Sequence, residues 1–394
     1  MDDHDYDPFD PANFDDPIPG YHWMLEEDPL HWCAPQNMWL MTRFDDVWNA
    51  LRDPATFSSA SYRIVDEQDL AFEEKKSKSI VMMDPPRHDR LRSLVSRAFT
   101  LRRMQEMRSR VRELTLEHLA LLRAQATPDF ATSLAIPLPG IVIADAVGVE
   151  REHIARLAEA TVAMVLVDPA DPAYPERYAN AVATLDDYFL PVIERRRSEP
   201  TDDLISSLID AEIDGERLTD GEIAGFARAL FNGGHGTTTT QLGGSVVALA
   251  QNPDERQRVI DDPPLLRGAV EELIRFVAPV QGLMRTVTRD VELHGRTMHA
   301  GDKLMVLIAA ANRDPRVFED PDRLDLTRPL PRHLGFGVGV HFCIGAQLAR
   351  VETEVVLEEL LRIAPSYEIS GEIHYENIMS VRSLHSVPIA LQPA

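Results

Sequence analysis

The feature that most constrains the fold of this sequence is a glycine-rich segment around one cysteine, Phe336-Gly-Val-Gly-Val-His-Phe-Cys-Ile-Gly-Ala-Gln-Leu-Ala-Arg350. Such a turn, followed at once by a helix, places the Cys343 sulfur near backbone N–H donors and the positive end of the helix. These surroundings favour the thiolate over the thiol, so the segment predicts a metal-binding site. The alternative is a small buried apolar residue, which is the commoner role of an isolated cysteine.

Charge and cysteine content exclude several other functions. The chain has 64 acidic and 40 basic residues and a net charge of −24, which argues against general nucleic-acid binding and docking on anionic lipid. Cys33 and Cys343 are the only cysteines, which excludes a disulfide framework and a multi-cysteine zinc or iron–sulfur site. The acidic N-terminus does not resemble a signal peptide, and no uncharged apolar run reaches about 18 residues. We therefore expect a cytoplasmic protein without a membrane anchor.

The hydrophobic pattern predicts a mainly helical chain. Thr219 and Glu222 form a capping-box signature that predicts a helix of about 30 residues, ending near Asn252 and spanning about 45 Å. Three prolines in residues 167–175 predict an exposed loop, and short β-branched segments after Pro279, such as residues 303–308, predict a minor β region. One amphipathic helix has an apolar stripe formed by Met104, Met107, Val111, Leu114, Leu121 and Leu122.

The cysteine segment resembles the haem-binding loop of bacterial cytochromes P450 at every fixed position of that motif. The resemblance extends over nearly the whole chain and implies the mainly α cytochrome P450 fold with a minor β region, as one domain over residues 1–394. It implies haem b as the cofactor and Cys343 as the axial ligand of its iron. Phe336 would shield the sulfur, and Gly345 would let the backbone approach the porphyrin closely.

Further basic and acidic residues match the family in chain order. The resemblance assigns a structural role to a glutamate–arginine pair on one helix, Glu272 and Arg275. It assigns the same role to Arg328, an arginine in the irregular segment that the family calls the meander. Four basic residues lie at positions where the family binds the haem propionates. Each of them alone would be an ordinary solvated charge, but all four occur at the spacing from Cys343 that the family has, which predicts haem binding. The residues at positions where the family binds the haem propionates are His88, Arg92, Arg285 and His341.

The middle of the long predicted helix matches the oxygen-activating segment of the family. Thr237 aligns with the threonine whose hydroxyl relays a proton there. The family places an acidic residue immediately before it, whereas this chain has Gly236, so proton delivery could pass through water or His235. The departure leaves two alternatives open: a peroxide-driven or non-oxygenating haem enzyme, and a non-catalytic haem-binding or ligand-binding protein.

The resemblance also implies a substrate pocket. Most of its residues are apolar, which predicts a small or medium hydrophobic substrate. Asn232 is the polar exception, and its alternative role is a hydrogen bond within the helix. The pocket residues are Met83, Met164, Asn232, Gly233, Val280, Leu283, Met379 and Ser380.

A monooxygenase of this class would take O2 and receive electrons from NAD(P)H through a separate reductase and ferredoxin. Residues 87–112 contain nine arginines against two acids, a formal balance of +7. In the family this segment lies nearest the thiolate, so it predicts a basic face that attracts an acidic ferredoxin. The alternative is a pair of solvated helices. The arginines expected to dock the ferredoxin are Arg102, Arg103, Arg108 and Arg110.

Overall fold

Helices dominate the structure, as the sequence predicted. The computed structural model describes residues 6–60, 79–96, 101–165, 171–213, 215–329, 332–378 and 381–392. Within these residues, no helix has both the length and the apolar character needed to cross a lipid bilayer. In chain order the helices are α1 (Pro11–Asp15), α2 (Ile18–Glu27), α3 (Phe44–Arg52), α4 (Arg87–Ser96), α5 (Leu101–Ala124), α6 (Pro137–Val147), α7 (Ile154–Val165), α8 (Tyr174–Ser198), α9 (Leu204–Asp210), α10 (Asp220–Gln251), α11 (Pro253–Asp261), α12 (Leu266–Val277), α13 (Ile308–Ala311) and α14 (Ala346–Ile363).

The minor β region after Pro279 is present, and strands from the N-terminal part of the chain join it. The strands are β1 (Leu30–Cys33), β2 (Met38–Met41), β3 (Phe57–Ser58), β4 (Glu212–Ile213), β5 (Glu216–Arg217), β6 (Leu283–Val287), β7 (Val291–Leu293), β8 (Arg296–Met298), β9 (Lys303–Val306), β10 (Ser366–Ile369), β11 (His374–Ile378), β12 (Val381–Ser386) and β13 (Ile389–Gln392). Five of them form a sheet in the order β1-β2-β9-β6-β3. β2 and β9 pair in parallel, with Leu40 opposite Met305.

The long helix predicted from the capping box is α10. Thr219 is its N-cap, with both hydrogen bonds of the capping box to Glu222 present. The helix has 32 residues and ends at Gln251, with Asn252 as C-cap. Its middle glycines do not interrupt the helical hydrogen bonding, so the prediction of one continuous helix is confirmed.

Helix α10 is buried between two apolar clusters. Its C-terminal half, including Leu242 and Val246, packs in a cluster with residues of α5, α12 and α14. Its N-terminal half, including Phe226 and Phe231, packs in a second cluster with residues of α4, α7, α8 and α9. Residues 232–237 therefore lie where the two clusters meet.

Three local predictions need correction. Leu121 is 54% exposed, because one residue turns a helix by about 100° and Leu122 occupies the buried face. α8 already begins at Tyr174, since a proline in the first turn removes no helical hydrogen bond. Residues 166–170 of the expected loop lie outside the described residues. β9 ends at Val306, because Ile308 starts α13.

A fully buried ion pair on α12 connects this helix to the segments that follow it. Arg275 donates from Nε and Nη2 to the two carboxylate oxygens of Glu272 at 2.7 and 2.8 Å, and neither side chain is more than 1% exposed. Arg275 also donates to the Asn312 carbonyl at 2.8 Å, and Arg328 donates to Glu272 at 3.1 Å. The surroundings fit the structural role expected of these residues.

We expect Arg275→Gln to lower the free energy of unfolding by about 3–5 kcal/mol, because it removes the bidentate, fully buried partner of the Glu272 carboxylate. Denaturant unfolding at neutral pH measures the loss. The matched control is Arg217→Gln, which opens the exposed pair with Glu212 and should cost about 1 kcal/mol or less. Equal losses in the two variants would contradict a structural role for the buried pair.

Candidate active site

The cysteine segment folds into a tight loop that leads into α14. The Cys343 N–H donates to the Phe336 carbonyl at 2.9 Å, and a short turn over Gly339–His341 precedes the cysteine. Gly339 has φ of +79°, and a Cβ atom there would lie 2.7 Å from the Leu51 carbonyl oxygen. Only glycine fits both conditions, so the loop can rest directly on the end of α3.

The electrostatic surroundings of Cys343 are mixed. One side of its side chain is accessible, but protein atoms surround the rest, and this burial raises the pKa of the thiol. The backbone N–H groups of Gly345 and Ala346 and the guanidinium groups of Arg92 and Arg350 act in the opposite direction. The backbone donors thus act on the thiol in the expected direction, although burial opposes them. A coordinated metal cation would reverse the balance, since a coordinating thiol is deprotonated.

Three of the four predicted propionate-binding residues converge beside this loop. The His88 and His341 rings lie 4.3 Å apart between centroids. Burial, and then the electrostatic influence of His88 and Arg285, lower the pKa of His341 to about 4. Among the described residues, the buried Nε2 atom of His341 has no hydrogen-bond partner. Clustered basic groups and a buried nitrogen without a partner fit an anionic group of a cofactor, such as a haem propionate.

The fourth residue, Arg92, follows His88 by one turn of α4. Its Nη2 atom donates to the Phe342 carbonyl at 2.6 Å, next to the cysteine. Burial lowers the pKa of Arg92, and the neighbouring Cys343 raises it. Arg92 thus connects α4 to the cysteine loop.

The middle of α10 has one open face. Gly233 is exposed and Asn232, Gly236 and Thr237 are partly exposed, although the flanking Phe231 is buried. Thr237 Oγ1 donates to the Gly233 carbonyl at 2.7 Å. A Cβ atom at Gly236 would have nothing within 4 Å. The spacings of three and four residues put these positions on the same side of the helix, so the predicted residues form an open patch beside a hydroxyl group.

His235 does not belong to this open face. Its Nε2 atom lies 3.0 Å from the Ile136 carbonyl oxygen, and burial lowers the pKa of the imidazole. Two residues along a helix correspond to a turn of about 200°, so His235 and Thr237 point in nearly opposite directions. The structure therefore does not bring His235 to the predicted proton path.

The apolar pocket candidates fall into two groups. Met83 is buried in the cluster that contains Phe231, and Met164 packs against that cluster. Val280 and Leu283 pack against the cluster beneath the five-stranded sheet, and Val280 forms a β-bridge with Val381. Met379 and Ser380 lie outside the described residues.

Local carboxylates pair with several arginines of the predicted basic face. Arg108 donates to both carboxylate oxygens of Glu354 at 3.1 Å, and Arg110 pairs with Asp145 at 2.9 Å. Arg112 contacts Glu358 at 2.6 Å. The formal charge of +7 counted from the sequence therefore overstates the positive charge of this surface around Arg108 and Arg110. The side chains of Arg102 and Arg103 lie outside the described residues.

The sequence reasoning missed a polar network that joins α12 to the cysteine loop. Glu271 accepts from Arg350 Nε at 2.5 Å and from His333 Nε2 at 2.9 Å. Burial raises the pKa of Glu271, but the hydrogen bonds from His333 and Arg350 outweigh it and lower the value to about 2. The signal was present, because Arg350 ends the cysteine motif and Glu271 directly precedes the recognised Glu272.

Comparisons with known proteins agree with this geometry. The sequence model of the family described as Cytochrome P450 matches residues 157–363. "Cytochrome P450 130" of Mycobacterium tuberculosis is 38% identical over 94% of both chains. The vitamin D(3) 25-hydroxylase of Pseudonocardia autotrophica is 36% identical over 98% of this chain and 97% of its own. The structure of CYP109Q5 from Chondromyces apiculatus aligns with a TM-score of 0.90 at 33% identity, covering 99% of both chains.

These relatives share a third or more of their residues with this chain along nearly its whole length. The fold, mainly helical with a small β region, agrees with that of the solved structures. The chain therefore belongs to the cytochrome P450 family and is a haem-thiolate monooxygenase with haem b as its cofactor.

Proposed function

We propose that this chain, folded as one domain over residues 1–394, inserts one oxygen atom from O2 into a small or medium hydrophobic substrate. The observation that carries the proposal is the presence of the Cys343 loop together with an open face of α10 beside the Thr237 hydroxyl. Electrons come from NAD(P)H through a reductase and an acidic ferredoxin.

In this proposal each predicted residue has a defined task. Cys343 ligates the haem iron, Gly345 lets the backbone approach the porphyrin, and Phe336 shields the sulfur. A thiolate-ligated haem supplies oxygen activation when bound. The propionates are held by His88, Arg92, Arg285 and His341.

Thr237 and the space beside Gly236 serve proton delivery. Thr237 donates its own proton to the Gly233 carbonyl, so its oxygen can accept a hydrogen bond from a water molecule. The space beside Gly236 is large enough for side-chain atoms, so it also admits water. Because His235 is turned away and held at Ile136, water at Gly236 is the route we propose for proton delivery.

A hydrophobic substrate is supported by the apolar pocket candidates and by the relatives. Met83, Met164, Val280 and Leu283 are all apolar, and methionine adapts its shape to different ligands. Relatives are named as a vitamin D(3) 25-hydroxylase and a cyclomarin C epoxidase, and CYP109E1 from Bacillus megaterium was solved with testosterone. Asn232 is the polar group that would orient such a substrate. A compound screen for the spin-state shift on substrate binding identifies members of the class.

We expect Cys343→Ser to abolish the red-shifted Soret band of the reduced carbon monoxide complex, because a hydroxyl group cannot replace the thiolate. Absorption spectroscopy of the haem-loaded protein measures the band. The matched control is Cys33→Ala, which changes the other cysteine and should keep it. An unchanged band in Cys343→Ser would refute the ligand assignment.

We expect Gly236→Asp to raise the fraction of NAD(P)H electrons that end in product instead of hydrogen peroxide, because it adds a carboxyl group next to Thr237. The open space at Gly236 accommodates the new side chain. Gly236→Asn has the same size without the acid and should not improve coupling. Equal coupling in wild type and Gly236→Asp, with unchanged substrate affinity, would show that water alone supplies the proton. Product formation from hydrogen peroxide but not from NAD(P)H would favour the peroxide-driven alternative.

We expect the double variant Arg102→Glu/Arg103→Glu to slow electron transfer from an acidic ferredoxin and to flatten its dependence on ionic strength. Stopped-flow reduction of the haem at several salt concentrations measures both quantities. Arg108→Gln is the control, because Arg108 is already neutralised by Glu354. A wild-type rate and salt dependence in the double variant would place the docking surface elsewhere.

A further inference from the structure

The side chain of Arg350 is fixed by a bidentate contact with Glu271, and His333 in turn fixes the Glu271 carboxylate. Nε and Nη2 of Arg350 donate to the two oxygens of Glu271 at 2.5 and 3.0 Å. His333 accepts the Gly335 N–H at Nδ1 (3.1 Å), so its Nε2 carries the proton and donates to Glu271. A bidentate contact fixes the plane of a guanidinium group, and the second donor to the carboxylate fixes the carboxylate itself.

The clamped guanidinium lies on the cysteine loop. Its Cζ atom is 4.5 Å from the centroid of the Phe336 ring, within the range of a cation–π contact. Phe336 in turn accepts the Cys343 N–H through its carbonyl at 2.9 Å. The positive charge of Arg350 is among the groups that favour the Cys343 thiolate. Arg350 is therefore linked to the cysteine in two ways: through Phe336, whose ring it packs against and whose carbonyl binds the Cys343 N–H, and through its charge.

Neither member of the pair loses its charge in the working pH range. An arginine stays protonated, and the hydrogen bonds to Glu271 keep its carboxylate ionised well below neutral pH. The pair is therefore a permanent dipole, with its positive end on Phe336 and its negative end on α12. A permanent positive charge beside an electron-rich centre stabilises the reduced state of that centre.

We propose that Arg350 is a positioning residue that fixes a positive charge and the Phe336 ring beside the Cys343 sulfur, with Glu271 as its clamp. This inference rests on the proposed role of Cys343 as the iron ligand. It assigns to Arg350 the tuning of the haem reduction potential, and to the α12–α14 contact a part in setting that potential.

The test is a spectroelectrochemical titration of the haem-loaded protein. We expect Arg350→Gln to shift the ferric–ferrous equilibrium about tenfold towards the ferric state, which is about 59 mV for one electron. Arg350→Lys keeps the charge and should stay within about threefold of wild type. The matched control is Arg362→Gln on the same helix, because Arg362 is 61% exposed and pairs with Glu359 at the far end of α14. The control should leave the potential unchanged.

Glu271→Gln gives an independent reading if Arg350→Gln does not retain haem. It removes the negative end of the dipole, while its amide oxygen still accepts a hydrogen bond from Arg350 and keeps the guanidinium in place. We therefore expect the equilibrium to shift towards the ferrous state, opposite to Arg350→Gln. A purely structural clamp would instead weaken thiolate ligation in both variants, visible as loss of the red-shifted carbon monoxide band.

The inference is overturned if Arg350→Gln retains the wild-type reduction potential. It is also overturned if the reduction potential of Arg350→Lys falls as far as that of Arg350→Gln. A shift of Glu271→Gln in the same direction as Arg350→Gln also overturns it. If wild type itself lacks the thiolate band, the proposed function fails and this inference with it. A normal band with unmoved potentials overturns this inference alone.

Discussion

Two adjacent glutamates on α12 connect the cysteine loop to the rest of the protein. Glu272 neutralises the fully buried Arg275, which also donates to the Asn312 carbonyl. The Asn312 side chain accepts the Leu334 N–H at 2.8 Å, and the Leu334 carbonyl accepts the Gly337 N–H at the same distance. A chain of hydrogen bonds therefore runs from the buried ion pair into the start of the loop.

Glu271 reaches the other end of the same loop. One residue of rotation along α12 turns its carboxylate by about 100° from that of Glu272, and it binds Arg350 on α14. Cys343 thus lies in a segment anchored before and after the cysteine by neighbouring side chains of one helix. Breaking a buried, hydrogen-bonded ion pair is costly, so these contacts with α12 fix the position of the sulfur.

The features that were predicted from sequence are those whose signals are local. The capping box at Thr219 and Glu222 set the start of α10, and the motif around Cys343 predicted a turn that leads into a helix. The surroundings of Arg108 could not be predicted, because its partner Glu354 is 246 residues away in the sequence. Glu271 and Arg350 are 79 residues apart, so no local pattern pointed to their contact, although each residue adjoins a recognised motif. Periodicity also failed at Leu121, where two adjacent leucines left open which one faces the core.

The parallel pairing of β2 with β9 has a consequence for how the protein is made. Trp39 in β2 donates to Asp302, 263 residues later in the chain, just before β9. At a synthesis rate of about 5–20 residues per second, β2 waits between about 15 and 50 s for its partner to leave the ribosome. During that time the hydrogen-bonding edge of the β1–β2 hairpin is exposed, and an unpaired edge is a site for wrong pairing with other chains. The N-terminal hairpin is therefore a part of the nascent chain at which chaperones can prevent wrong pairing.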